Sequence, residues 1–315
     1  MSVSAPPYFS IIIPAYNRGF VLDRTLRSCL DQTFPDFEVI VVDDGSEDDT
    51  AAVMARHPDP RIVYERQANA GASAARNRGV ALARGAYVAF LDSDDTFLPG
   101  KLAAFRDAIE MTAAEDPDAG VAWYSPLFFH RGAGNQLRKP SRGILPDESV
   151  GDYLFAADGM MQTSTLVLPR ELALRTPFDP GLRNLEDLDL CLRLEAAGAT
   201  FRMIPDPQAI WYDDNSEGRL SHTTTTENVE SWLSSQRSRL SDRAYHGFLA
   251  RYLVPIALRR EPVRAIRLLV AAVAHGSISP TRATTLAVRG VMPGTYGRVR
   301  DLVVSRRPSG ASPPI

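Results

Sequence analysis

Apolar positions in the first hundred residues switch between two periods. Phe9 to Ile13 is an apolar run, Phe20 to Gln32 places Val21, Leu22, Leu26, Cys29 and Leu30 at helical spacing, and Phe37 to Val42 is a second run. Short runs of this kind suit strands buried on both faces, and the spacing between them suits a covering helix, so the stretch predicts a βαβ unit. The alternation continues with a helix over Asp49 to Ala55, a strand over Ile62 to Glu65, a small-residue helix over Ala72 to Ala83 and a strand over Tyr87 to Leu91. Such alternation implies an α/β fold, Rossmann-like, with a mainly parallel sheet flanked by helices.

Ligands of such sheets bind beyond the carboxyl ends of the strands. Here those ends carry Pro14-Ala15-Tyr16-Asn17, Asp43-Asp44-Gly45-Ser46 and Asp92-Ser93-Asp94-Asp95. Three polar or acidic strand ends in succession mark the candidate site.

Further along, the pattern predicts a helix over Gly100 to Asp116, a strand over Gly120 to Phe129, a loop or insertion over 130–152 and a strand over Thr163 to Leu168. A helix over Leu185 to Ala197 stops at Gly198, and short strands follow over Phe201 to Ile204 and Ala209 to Tyr212. After Glu227 strand signals cease and helical runs take over, one of them setting Arg264 and Arg267 among apolar residues as interfacial helices do. The expected organisation is an α/β domain over 1–226, a basic helical extension over 227–305 and a disordered Pro/Ser/Gly-rich tail over 306–315.

Charge sharpens that division. Residues 1–226 hold 21 Lys and Arg against 33 Asp and Glu, whereas residues 227–315 hold 14 Arg against 5 acids. The acidic part suits a metal site, and the basic part suits an anionic surface such as the inner face of a cell membrane, or simply a solvated face. Cys29 and Cys191 lie outside any CxxC or Cys/His group, which argues against a disulfide framework or zinc site and fits a reducing cytoplasm. The first apolar run has no basic segment before it and breaks at Pro14, so it reads as a strand and not a signal peptide. No stretch of about 18 apolar residues runs uninterrupted, as a spanning helix requires.

Several carboxylates within Asp92 to Asp95 repel one another unless water or a cation screens them. A hard divalent ion, Mg²⁺ or Mn²⁺, does this with one or two carboxylates and completes its shell with phosphate oxygens. Asp-rich turns are also common structural features at strand ends. The surrounding motifs alter the balance: Ile11-Ile12-Ile13-Pro14-Ala15-Tyr16-Asn17, Val41-Val42-Asp43-Asp44-Gly45-Ser46, Asn69-Ala70-Gly71-Ala72 running to Arg76-Asn77-Arg78-Gly79, and Leu91-Asp92-Ser93-Asp94-Asp95. In that order and at that spacing they resemble the family 2 glycosyltransferases of the GT-A fold, over residues 9–100 clearly and to about 215 more loosely.

The resemblance implies an inverting transfer of a sugar from a nucleotide-diphosphate donor to a hydroxyl acceptor. Pro14, Ala15, Tyr16 and Asn17 then border the nucleotide base, and Asp44 accepts the N3–H of a uracil. As a cap for the next helix, Ser46 is better placed than Asp44. Asn69 and Arg76 belong to the donor site, where Arg76 can contact the diphosphate or the acidic loop. Asp92 and Ser93 lie near ribose or donor sugar, while Asp94 and Asp95 are the metal candidates, joined by His222. Asn184-Leu185-Glu186-Asp187 resembles the family's ED motif, whose base is here Asp187, with Glu186 in reserve and Asp189 a surface or capping acid. First-turn acids also complement a helix dipole, so a purely structural role competes.

The expected partners are a nucleotide sugar, UDP-linked as the first expectation, and a glycan or glycolipid acceptor for a surface polysaccharide; peripheral contact with an anionic membrane is expected, and nucleic acid is not. A nucleotidyltransferase of similar fold and a non-catalytic nucleotide-sugar binding module are the alternatives.

Overall fold

The computed structural model describes residues 5–115, 120–130, 136–212 and 225–291. His222 and the tail at 306–315 lie outside them. The described residues fall into two compact units, one within Met1–Val150 and Gly159–Thr223, the other within Gly151–Asp158 and Thr224–Ile315.

The first unit is built on β1 (Phe9–Ala15), α1 (Leu22–Leu30), β2 (Phe37–Asp43), α2 (Thr50–Ala55), β3 (Ile62–Arg66), α3 (Ala72–Leu82) and β4 (Tyr87–Phe90). Strand β1 lies between β2 and β4, parallel to both, and β3 adds parallel to β2. All seven residues of β1 are buried, which is why its sequence reads as a run and not an alternation. Phe9, Ile11 and Ile13 join the cluster that includes Leu22, Leu26 and Cys29 of α1. Ile12 points the other way, towards α3, so closely that a Cβ on Gly79 would meet its Cγ2 at 2.4 Å. Glycine at 79 therefore lets α3, and with it Arg76, lie directly on the sheet.

The chain continues through β5 (Thr96–Phe97), α4 (Lys101–Glu115), β6 (Val121–Tyr124), β7 (Leu127–His130) and β8 (Gln136–Lys139) to α5 (Val150–Phe155). It then forms β9 (Val167–Pro169), α6 (Arg170–Arg175), α7 (Glu186–Ala196), β10 (Thr200–Met203) and β11 (Ala209–Tyr212). The main sheet has the order β10-β6-β9-β4-β1-β2-β3, with β9 antiparallel to both neighbours, and a smaller sheet has the order β5-β11-β7-β8.

Two predicted strands differ from this structure. The stretch 120–129 is not one strand but β6 and β7, which belong to different sheets, because Ser125-Pro126 interrupts it and proline cannot donate to a ladder. The segment Thr163–Thr165 forms a single 3₁₀ turn before β9. Its polar side chains favour that turn: Gln162 accepts from the Ser164 amide, and the Thr165 hydroxyl donates to the Gln162 carbonyl across 2.6 Å. The predicted loop at 130–152 also contributes β8 to the smaller sheet.

The second unit is helical: α8 (Thr226–Gln236), α9 (Asp242–Phe248), a π-type turn over Leu249–Leu253, α10 (Val254–Arg260), α11 (Pro262–Ala274) and α12 (Pro280–Val291). Phe155 stands edge-on to Phe248 at 5.1 Å, and Trp232 packs 4.9 Å from Phe248. Gly247 is required here, since a Cβ would meet the Phe155 carbonyl oxygen at 2.4 Å. Ala250, Val254, Ala257, Ala265, Leu269 and Ala272 form a second core around α10 and α11. Among the described residues, no helix is long and apolar enough to cross a membrane.

Candidate functional site

The ends of β1, β2 and β4 converge because the three strands are adjacent and parallel. The loop after β1 is tied to the loop after β2: the Asn17 amide donates to the Ser46 hydroxyl at 2.9 Å, and the Asn17 side chain accepts from the Glu47 amide at 2.8 Å. Asn17 adopts a positive φ of 52°, a conformation that asparagine tolerates better than most residues. Pro14 and Ala15 pair with Val42 and Asp43, and Tyr16 keeps 45% of its surface exposed, leaving a ring free to meet a planar ligand. Ser46 is thus a cross-link between loops and not the helix cap; α2 begins after Asp49, and Asp48 accepts from the Thr50 amide.

Asp43 and Asp44 are both buried but serve different neighbours. Asp43 accepts from the Ser46 amide at 2.7 Å and from the Tyr64 hydroxyl at 2.5 Å. Asp44 accepts from the Gln67 amide group and the Ala70 and Gly71 backbone amides, at 2.8, 2.8 and 2.7 Å. Its Oδ2 takes one of these donors, and a carboxylate oxygen can take two. Asp44 therefore shapes the approach to α3 and retains capacity for a further N–H. Asn69, on that approach, is exposed, with its backbone amide 3.1 Å from where a Cβ on Gly45 would lie.

Arg76 projects from α3 into the centre. It is 4% exposed, donates to Asp92 at 2.7 Å and to Glu186 at 3.2 Å, and lies 5.1 Å from the Phe178 ring. Burial alone disfavours its charge, but Asp92 and Glu186 outweigh this and hold its pKa above the usual arginine value. One guanidinium thereby joins the acidic loop after β4 to the start of α7.

Within that loop the four residues face different ways. Asp92 accepts from Arg76 and also from the Gln162 amide at 2.9 Å. Ser93 is buried, its carbonyl accepting from Thr25. Asp94 is partly buried, and its carbonyl accepts from Arg24, whose guanidinium stacks 3.4 Å over Tyr212. Asp95 is fully buried: its Oδ2 accepts from the Ser164 hydroxyl at 2.6 Å and from Gln162 at 3.2 Å, while its Oδ1 has no hydrogen-bond partner. Burial, reinforced by the charges of Asp94 and Asp92, raises the Asp95 pKa well above the carboxylate range.

Two acids of this loop could serve a hard cation. No group of three or more His, Cys, Asp or Glu side chains among the described residues is poised as a complete metal cage. Mg²⁺ and Mn²⁺ commonly need only one or two carboxylates when a diphosphate supplies the rest. The unpaired Oδ1 of Asp95 offers one donor and Asp94 is the neighbouring acid of the same loop, whereas Asp92 is already paired with Arg76. A cation would also offset the repulsion that adds to burial in raising the Asp95 pKa.

Three supports of the loop carried no motif. Lys101 is fully buried at the start of α4, donates to the Ser164 carbonyl at 2.7 Å and lies 3.8 Å from the Phe97 ring centre. Burial pushes its pKa well below the usual lysine value. Ser164 in turn accepts from the Asp92 amide at 3.0 Å while donating to Asp95, so it pins both ends of the loop. Gln162 spans the two acids from the other side. A polar Gln-Thr-Ser-Thr segment interrupting an apolar region was the available sequence signal; for Lys101 there was none, since lysine is rarely buried.

At the start of α7, Leu185 has a positive φ of 64°, which turns the chain into the helix. Asp187 is partly buried and accepts from the Leu188 amide at 2.8 Å. Burial and then the charge of Glu186 raise its pKa to about 7, against the lowering effects of the Leu188 amide and Arg76. A carboxylate so tuned can take a proton near neutral pH. Asp189 is not a surface acid: it is buried and paired with Arg193 at 2.6 Å, which also donates to the Pro177 carbonyl.

Residues 10–147 match the family model for glycosyl transferase family 2. The chain is 31% identical over 258 residues to the amylovoran biosynthesis glycosyltransferase AmsB of Erwinia amylovora, covering 80% of this chain and 85% of that protein. It is 27% identical over 251 residues to the succinoglycan biosynthesis protein ExoO of Rhizobium meliloti, covering 78% and 72%. Its fold is similar to that of S. aureus TarS 1-349 in complex with UDP-GlcNAc, with a TM-score of 0.61, 20% identity and coverage of 95% and 89%. It is likewise similar to the mannosyltransferase PcManGT from Pyrobaculum calidifontis in complex with GDP-Man and Mn²⁺, with a TM-score of 0.58, 20% identity and coverage of 94% and 83%.

Proposed function

The chain belongs to glycosyl transferase family 2, and from that premise we propose an inverting, metal-dependent transfer of a sugar from a UDP-sugar to a hydroxyl of a polysaccharide precursor. The observation that carries this reading is Arg76, which holds donor-side Asp92 and acceptor-side Glu186 on one guanidinium beside Asp187. The polysaccharide context is supported by AmsB and ExoO, whose names place them in amylovoran and succinoglycan biosynthesis.

In this reading Tyr16 offers its exposed ring to the uracil, and the second lone pair of Asp44 Oδ2 accepts the N3–H. Pro14, Ala15, Asn17 and Asn69 shape the surrounding walls. Asp92 and Ser93 bind ribose or the donor sugar, and Arg76 keeps Asp92 oriented. Asp94, with Asp95, would hold Mg²⁺ or Mn²⁺, which when bound offsets the charge developing on the departing nucleoside diphosphate. Asp187 accepts the proton of the acceptor hydroxyl as the oxygen attacks the anomeric carbon from the face opposite the diphosphate, and inversion follows from that geometry. His222 is proposed as a further metal ligand. The acceptor is a lipid-linked glycan at the cytoplasmic face of the membrane, and the basic residues 227–305 serve that location.

A thermal-shift screen of nucleotide sugars with and without Mn²⁺ tests the reading. A UDP-sugar at about a hundred times its Kd should stabilise the chain by about 2.7 kcal/mol, with the metal increasing the shift. Absence of a shift with every nucleotide sugar would overturn it. Donor binding with equal turnover in Asp187→Asn would remove Asp187 from the reaction.

A further inference from the structure

Helix α11 is apolar on two opposite sides. Ala265, Leu269 and Ala272 face the second core, while Val263, Ile266 and Val270, spaced three and four residues apart, form a ridge on the other side. Those three side chains are 63%, 55% and 63% exposed. Arg267 is exposed on the same face and makes no ion pair among the described residues, whereas Arg264 at the flank is paired with Glu230 and Glu261. A ridge of branched aliphatic side chains exposed to this extent needs a partner in a way that scattered apolar residues do not.

We propose that this ridge docks on an anionic lipid surface, with Val263, Ile266 and Val270 entering the acyl boundary and Arg267 meeting the headgroups. Charge selects this occupant. Residues 227–315 hold 14 Arg against 5 acids, so a second copy seated through the same face would set like charge against like charge. Residues 292–315, with four Arg and one Asp, carry the same sign and do not complement the ridge either. An anionic bilayer supplies both an apolar interior and opposite charge, and it rewards a helix lying in its plane. The α11 helix has only thirteen residues, so it can lie on a bilayer but not cross one. The inference deepens the membrane location proposed above; its failure would remove that location and leave the transfer chemistry intact.

The test is flotation of the full chain with vesicles of equal parts phosphatidylcholine and phosphatidylglycerol, beside vesicles of phosphatidylcholine alone. The parent should float with the anionic vesicles, less so at raised salt, and only weakly with the neutral ones. Ile266→Asp and Val270→Asp should each reduce binding about tenfold or more, and Arg267→Glu should reduce it about tenfold on anionic vesicles alone. The positions are exposed, so melting temperature and donor hydrolysis in detergent-free buffer should match the parent. Vesicle binding that is absent in the parent or unchanged in the variants would overturn the proposal. So would a parent that sediments as a dimer and variants that sediment as monomers, since the ridge would then be an interface between copies.

Discussion

Asp92 and Glu186 share a single buried guanidinium, standing 2.7 and 3.2 Å from Arg76. One acid closes the β4 strand end and the other opens α7, so the bridge connects the part of the site assigned to the donor with the part assigned to the acceptor. Both acids are partly shielded from water, and among the described residues neither has another cation within ion-pair distance.

Replacing Arg76 by Ala should therefore be severe. Two uncompensated carboxylates would remain in a partly shielded setting, a cost of up to about 3–5 kcal/mol. Urea unfolding should show this as a lower midpoint, with transfer activity lost alongside. Arg76→Lys keeps the charge but lacks the fork that reaches both acids, so it should fall between Ala and the parent. An Ala variant as stable as the parent would show that the bridge contributes nothing.

The pH dependence turns on Asp187, whose pKa is raised to about 7. The base must be ionised, so kcat/KM should climb with pH through about 7 and then level. Glu186→Gln removes a charge that raises this pKa, and the rising limb should move to lower pH. Stability runs in the opposite sense: a raised carboxylate favours the folded state when protonated, and that contribution is lost as pH rises from about 4 to about 7. Asp187→Asn should flatten that part of the stability profile while abolishing turnover. A rising limb at the same pH in Glu186→Gln would disconnect the two acids.

Ser164→Ala removes the hydroxyl that holds Asp95 and the Asp92 amide together. Loss of bonds to a buried carboxylate should lower stability by about 1–3 kcal/mol. The loop that presents Asp94 would also loosen, raising the Mn²⁺ concentration for half-maximal activity about tenfold. Lys101→Met, which removes the donor to the Ser164 carbonyl but keeps a similar volume, should shift the same metal dependence with a smaller loss of stability. Titration of activity with Mn²⁺ beside thermal unfolding separates the two effects, and unchanged metal dependence in both variants would reduce Ser164 and Lys101 to packing.

The sheet was readable from the sequence because β1, β2 and β4 are buried on both faces and appear as apolar runs, with their polar ends immediately following. Asp44 and Asp92 stood out because each lies just after such a strand, whereas Arg76, on α3, was singled out through the resemblance to family 2 glycosyltransferases. The division of 120–129 between two sheets depends on where Ser125-Pro126 sends the chain, which periodicity does not encode. Asp189 was misjudged because a first-turn acid looks the same on paper whether it meets water or Arg193. Lys101 and Gln162 were missed because their importance lies in contacts with residues more than sixty positions away.

The Arg76–Glu186 contact spans 110 positions of chain and links the segment that matches the family model to a segment beyond it. This constrains recombination. A hybrid taking residues 10–147 from this chain and the remainder from a relative of different acceptor preference would inherit each half of the site intact, yet its buried guanidinium would be left without its second acid unless the new segment supplied one at the position of Glu186. Parents for such hybrids should be chosen by that acid before any similarity of the loops around it.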